Sequence, residues 1–247
     1  MTEDFQFVAH EGVSVLAYQP WWREGLVHGM TCGPLSFSKE ARQSSSNLLA
    51  LALNVKEVII PHQFHTNIAL DLRRHLHKGY ADDVASCDAD ALIVDRGSNA
   101  DAAFGVVTAD CVPIVVRSGE SFALIHAGWR GLAGGIIKEA CSYLPNIEQV
   151  VIFPCAGSNL YEVGAEVLEE IGPSAMFLPK KGVPQKYLLN MSKTAQTQIE
   201  AVCPMATCVC ADLCTIESKH FHSYRRDGEK AGRNLTFVAF DRAKKVA

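Results

Sequence analysis

No stretch of this 247-residue chain stays apolar for the roughly 20 residues that a helix needs to cross a bilayer. The first residues, Met-Thr-Glu-Asp-Phe-Gln, are acidic where an export signal is basic, and no apolar core follows them. A cytoplasmic protein with no membrane partner is therefore expected, and its nine cysteines read as free thiols rather than a disulfide framework. Basic charge is also in short supply: 23 Lys and Arg against 27 Asp and Glu leave a net charge of −4, which excludes a broad phosphate-backbone surface for nucleic acid. Low-complexity tracts, repeats and linkers are missing too, so one domain over 1–247 is expected. What remains, 48% hydrophobic and 20% charged, is the composition of a folded chain with a large core. No feature calls for an obligate protein partner.

Runs rich in Val, Ile and Phe predict strands at Phe5–Ala9, Val13–Tyr18, Glu57–Ile60, Ala91–Val94, Phe104–Val107, Val112–Val116, Phe122–His126, Gln149–Phe153, Thr207–Cys210 and Leu235–Phe240. Helical spacing is found over Gly131–Leu144, Gly164–Ile171 and Asn190–Val202. Strands outnumber helices and often follow one another directly. This favours an α+β fold over βαβ alternation, with mixed β-sheets packed against helices in an αββα-like layered sandwich.

Three positions carry metal-binding or nucleophilic chemistry next to strands. Cys111 follows Asp110 between two apolar runs, with Pro113 two residues on, where a missing N–H suggests an edge, a bulge or a strand start. His126 closes an apolar strand and leads through Ala127 and Gly128 into a helix, where Arg130 adds a permanently charged planar fork. His65 lies just beyond the strand ending at Ile60. Together these would give a His₂Cys set with an open fourth position, as a catalytic zinc requires. Each residue taken alone fits equally well as ordinary packing beside a strand.

The strings Thr108-Ala109-Asp110-Cys111-Val112-Pro113-Ile114, His126-Ala127-Gly128-Trp129-Arg130-Gly131, Tyr161-Glu162-Val163-Gly164 and Ser223-Tyr224-Arg225-Arg226-Asp227-Gly228 occur in this order. Ala89–Ile93, Cys214-Thr215 and Ala231-Gly232-Arg233 add to them. The sequence from about Ile59 to Phe240 thereby resembles the YfiH-like family, also labelled laccase-domain or multicopper polyphenol oxidase and regarded as purine nucleoside phosphorylases. The resemblance implies a zinc site on His65, Cys111 and His126, which would be the catalytic residues. It also implies phosphorolysis of adenosine, inosine, guanosine and methylthioadenosine to free base and ribose 1-phosphate, with adenosine deamination besides. Arg130, Arg225 and Arg226 are the candidates for holding phosphate by charge-assisted hydrogen bonds, and Tyr161 and Glu162 for the purine.

The sequence departs from the family pattern at three places. Thr66 stands where the family's Gln-Val-His-Gly motif has glycine, Ser158-Asn159-Leu160 replaces a cysteine-bearing stretch, and the segment around Ala41–Asn47 is shortened. Two further enzyme readings compete. In one, Cys111 is the nucleophile of a hydrolase or amidase acting on cell-wall muropeptide precursors, with His126 as base and Asp110 orienting it. In the other, copper serves a polyphenol oxidase through His75-Leu76-His77 and His220-Phe221-His222. That reading is disfavoured, because nine histidines leave too few for a copper centre beside a multi-histidine cluster. A structural metal knot on Cys203, Cys208, Cys210 and Cys214 lacks the paired Cys-x₂-Cys spacing of common zinc modules.

Overall fold

A computed structural model describes residues 3–73, 80–97, 99 and 101–240. The strands are β1 (Phe5–His10), β2 (Val13–Tyr18), β3 (Val27–Thr31), β4 (Glu57–Ile59), β5 (Ala69–Asp71), β6 (Ala91–Asp95), β7 (Ala102–Thr108), β8 (Val112–Ser118), β9 (Ser121–Ala127), β10 (Gln149–Ile152), β11 (Glu162–Gly164), β12 (Phe177–Pro179), β13 (Lys186–Leu189), β14 (Thr207–Cys210) and β15 (Asn234–Phe240). The helices are α1 (Gln19–Arg23), α2 (Arg42–Leu53), α3 (Tyr80–Ser86), α4 (Trp129–Ala133), α5 (Ile136–Ser142), α6 (Ala165–Ile171), α7 (Met191–Val202) and α8 (Tyr224–Asp227). Among the described residues no helix is long and apolar enough to cross a membrane, and all nine cysteines are free thiols.

The strands form two six-stranded mixed sheets, β1-β2-β3-β15-β7-β4 and β14-β10-β8-β9-β6-β5, and a small antiparallel sheet β11-β13-β12. Side chains alternate across each strand. Phe104 and Val106 of β7 accordingly join Phe122 and Leu124 of β9 in the core between the large sheets. Ala103 and Val107 instead face α2. Ala123, Ile125 and Ala127 face the helices α4 to α7. Both faces of each large sheet are thus covered, which is why the strands read as near-continuous apolar runs. The layers follow the αββα order that the α+β pattern predicts.

One predicted element needs correction, and one helix lies outside the predicted set. The apolar spacing over Gly131–Leu144 spans two helices, because Gly135 adopts φ +80° and breaks the chain between α4 and α5. Helix α2 is absent from the predicted helices, and its serine run Ser44–Ser46 is poor helix-forming sequence. Ser44 Oγ and Ser45 Oγ indeed donate to backbone carbonyls of Ala41 and Ser36, yet Leu49 and Leu53 still bury their side chains against the first sheet. Pro113 proves to sit at a strand start: it is the second residue of β8, an interior strand. Its partner His126 turns its own N–H to the carbonyl of Asp90 on the other side.

His28 is fully buried on β3 beside Trp21 and Phe153. Tyr18 N–H donates to its Nε2 and its Nδ1–H donates to the Leu26 carbonyl, so a second proton on Nε2 would face a donor. Burial, with Arg117 nearby, lowers its pKa to about 4 despite the Leu26 bond. The unfolded chain, with a histidine pKa near 6.5, therefore binds more protons between those values. Stability is expected to fall by about 3 kcal/mol as pH drops from about 6.5 to about 4. Urea denaturation across that range checks this, and His28→Gln, which cannot charge, should flatten the profile.

Candidate metal centre

The site lies where the chain passes between the two large sheets. Thr108 ends β7 in the first sheet and Val112 begins β8 in the second, with Cys111 on the short crossing. Asp110 makes this turn possible with φ +91°, held by hydrogen bonds from Thr215 Oγ1 to Oδ1 (2.6 Å) and from Arg225 N–H to Oδ2 (2.6 Å). The loop after β4 makes the other crossing, towards β5. Gln63 locks it to β7, donating to the Val107 carbonyl and accepting from the Val107 N–H. His65 follows with φ +60°. His126 arrives at the end of β9, and the β8–β9 register places Val112 opposite Ala127, so Cys111 falls beside Gly128.

Gly128 has to lack a side chain. A Cβ there would stand 2.8 Å from His65 Cδ2 and 3.2 Å from Cys111 Sγ. That gap lets His65, Cys111 and His126 converge, with one ligand atom from each lying within 4.8 Å of the others. Cys111 Sγ and His65 Nε2 are 3.7 Å apart, and the two imidazole centroids 4.7 Å apart.

Asp90, fully buried, organises the trio. Its Oδ1 accepts His126 Nδ1–H (2.7 Å) and His65 N–H (3.1 Å). Its Oδ2 accepts Phe64 N–H (3.3 Å), Thr66 N–H (2.5 Å) and Thr66 Oγ1–H (2.7 Å). One carboxylate therefore sets the His126 tautomer, leaving Nε2 for a ligand, and also fixes the loop carrying His65. Thr66, which replaces a glycine of the family pattern, adds a hydroxyl donor to this carboxylate. Burial would raise Asp90, but the His126 and Thr66 bonds outweigh it and hold its pKa at about 2. Burial would likewise raise Cys111, yet His126 and His65 bring it down to about 6. His126 is lowered by burial but lifted further by Cys111 and Asp90, to about 9. At neutral pH the metal-free pair is thus thiolate and imidazolium, and His126 Nε2 becomes a ligand when a metal displaces its proton. A soft thiolate and two imidazoles, with the exposed His65 side open to a cleft, form a donor set suited to a four-coordinate metal with one free position. It is the only such cluster among the described residues.

The cleft encloses about 900 Å³. Arg130 lines it with its guanidinium 4.2 Å from the Trp129 ring, and Arg225 lies 4.6 Å over Tyr161, which also lines it. Burial and the Cys111 thiolate raise the Tyr161 hydroxyl to about 12, so it stays a donor.

Two other expected site residues face elsewhere. Arg226 gives its guanidinium to the carbonyls of Thr215, Ile216, Ser218 and Phe221 and to the Asp227 carboxylate, which leaves no donor for phosphate. Glu162 pairs with Lys180 and Lys186 and does not line the cleft. Asp110 bonds Thr215 and Arg225, and it is Asp90 that orients His126. Arg226→Gln is therefore expected to cost about 2 kcal/mol of stability, by losing several charge-assisted bonds at a partly exposed site. It should leave the KM for phosphate within about twofold; chemical denaturation and steady-state kinetics read the two effects.

His220 and His222 lie in a loop rather than on a strand. His220 packs on Phe7, at 4.8 Å between centroids, and His222 Nε2–H donates to the Leu35 carbonyl. His75 and His77 lie outside the described residues. Cys208 and Cys210 sit partly buried against the core of the second sheet, as small apolar side chains do.

A family model described as multi-copper polyphenol oxidoreductase laccase matches residues 35–241. A Clostridium acetobutylicum protein named purine nucleoside phosphorylase is 30% identical, over 83% of this chain and 86% of its own length. Escherichia coli purine nucleoside phosphorylase YfiH is 35% identical over 54% of this chain and 57% of its own length. The crystal structure of Bacillus licheniformis hypothetical protein YfiH superposes with a TM-score of 0.79 at 22% identity, covering 97% of this chain and all of that one. YlmD from Geobacillus stearothermophilus gives 0.76 at 24%, with the same coverage. At those identities the two structures show a shared fold.

Proposed function

The chain belongs to the family described as multi-copper polyphenol oxidoreductase laccase, and from that premise we propose that it is a zinc-dependent purine nucleoside phosphorylase with adenosine deaminase activity. The observation that carries this reading is one cleft that joins the His65–Cys111–His126 donor set to aromatic faces and arginines, in a volume within the range of small-molecule pockets. The names of the relatives support the phosphorylase half. When bound, zinc supplies a Lewis acid at the trio's end of the cleft. The nine free thiols suit a reducing compartment such as the cytoplasm.

Tyr161, with Arg225 across its ring, offers a face on which a purine stacks, and Trp129 under Arg130 offers another. The cleft's arginines hold phosphate against the ribose. A phosphate oxygen then forms a bond to C1′ as the C1′–N9 bond breaks, with its electron pair passing to the base, which takes up a proton. Ribose 1-phosphate and free base result. In the companion deamination, water adds at C6 of adenosine and ammonia leaves.

A thiol-hydrolase reading has one observation in its favour: Cys111 as thiolate, His126 and Asp90 form a nucleophile, base and orienting acid. Turnover of adenosine with and without phosphate separates the two. Phosphate-dependent release of adenine and ribose 1-phosphate, abolished by a strong chelator and restored by zinc, is the expected result. Indifference to chelator with inactivation by an alkylating agent supports the hydrolase, and no nucleoside turnover by the zinc-loaded protein defeats the phosphorylase reading.

A further inference from the structure

Two further arginines of the cleft lie outside the trio and away from Trp129 and Tyr161, although Arg233 lies 5.9 Å over the Tyr224 ring. Arg42 opens α2 and Arg233 precedes β15. The two segments are tied together, since Phe37 N–H donates to the Arg233 carbonyl and Arg42 N–H to that of Ser38. Among the described residues four buried side-chain nitrogen or oxygen atoms lack a hydrogen-bond partner, and Arg42 Nε is the one that belongs to a permanent charge. A second is the buried Oγ1 of Thr108, a residue that also lines the cleft and pairs across the sheet with Asn234, next to Arg233.

Glu40 and Glu229 also line the cleft, but no carboxylate bonds to either guanidinium among the described residues. The exposed Glu40 bonds its own backbone and Ser38 and acts on Arg233 only as a charge without a hydrogen bond. Arg233 uses one nitrogen, Nη1, on the carbonyls of Ala231 and Gly232. The Arg42 guanidinium is disfavoured by burial and by the like charge of Arg233. Two like charges that feel each other with no hydrogen-bonded counter-ion, one of them with an enclosed unpaired N–H, are costly unless an anion completes them. The planar forks select a tetrahedral oxyanion that accepts several hydrogen bonds at once.

We infer that Arg42, Arg233 and Thr108 form an oxyanion subsite of this cleft, which takes a phosphoryl group. Resting on the phosphorylase reading, the subsite seats the attacking phosphate. Arg130 and Arg225, already stacked on Trp129 and Tyr161, then act on the base rather than on phosphate. The segment in which this sequence departs from its family pattern thereby supplies a cation of its own.

Calorimetric titration of the zinc-loaded full chain with inorganic phosphate tests the subsite without requiring turnover. Arg42→Gln removes no hydrogen bond and relieves a like-charge contact, so its melting temperature should equal or exceed that of the wild type. Arg42→Gln and Arg233→Gln are each expected to weaken phosphate binding at least about tenfold, with zinc content unchanged. Arg130→Gln and Arg225→Gln should shift it less than about threefold. A parallel titration with a nucleoside 5′-monophosphate distinguishes the source of the phosphoryl group. Binding of the nucleotide alone, lost in the same two variants, upholds the subsite and removes the phosphorylase reading. Phosphate binding that persists in both Arg42→Gln and Arg233→Gln overturns the subsite whether or not the enzyme proves to be a phosphorylase.

Discussion

Cys111→Ser is expected to abolish metal binding and lower kcat/KM by about 10³-fold or more, while its melting temperature stays close to that of the metal-free wild type. The exchange is nearly isosteric on a half-buried side chain, so the crossing between the sheets keeps its shape. The donor changes completely: a thiolate favoured near pH 6 by two imidazoles gives way to a hydroxyl that does not ionise at neutral pH. Several kcal/mol of charge stabilisation leave with the metal, hence the magnitude. Metal content and nucleoside kinetics on the same preparation check it, and a metal-replete, active Cys111→Ser protein would remove Cys111 from the site. Because ligands must be deprotonated to bind, wild-type affinity is also expected to decline as pH falls through about 9, where His126 takes up a proton, and more steeply below about 6, where the Cys111 thiolate does.

The second large effect is expected from Asp90→Asn. The asparagine can direct its carbonyl to one side only. Either His126 Nδ1–H and His65 N–H, or the donors of Phe64 and Thr66, then meet an amide N–H₂. If His126 responds by moving its proton to Nε2, the ligand lone pair is gone. Metal affinity is therefore expected to fall about 10–100-fold, and stability by about 2–4 kcal/mol, since buried donors lose a charged acceptor. Competition with a chromogenic chelator measures the first and urea denaturation the second. An affinity within twofold of wild type would show that Asp90 does not hold the site together.

Much of the scaffold is legible in the sequence because both faces of the large sheets are buried. Strands β7, β8 and β9 stand out as apolar runs whose ends fall within two residues of the structure. The missed parts follow other rules. The serine run of α2 offers local side-chain bonds that compete with a helix, and burial of Leu49 and Leu53 against the first sheet favours the helix. The short, partly exposed strands β11 to β13 carry no periodic signal. The trio was readable as residues placed beside strand ends, and the ordered motifs brought the three together as one proposal.

Asp90 was in view within Ala89–Ile93, but its role depends on contacts 24 to 36 residues away that no spacing reveals. Arg225 and Arg226 are adjacent in sequence and identical in type. One guanidinium nevertheless lies over Tyr161 while the other fills a ring of carbonyls, a division set by the short helix α8 and the loop before it.

Metal analysis by mass spectrometry of the purified wild type and of a His65→Ala/Cys111→Ser/His126→Ala variant addresses the central claim most directly. One equivalent of zinc per wild-type chain and none in the folded triple variant is the expected result. One equivalent surviving in the triple variant would place the metal elsewhere, the cysteines between Cys203 and Cys214 included, and would contradict the site described above.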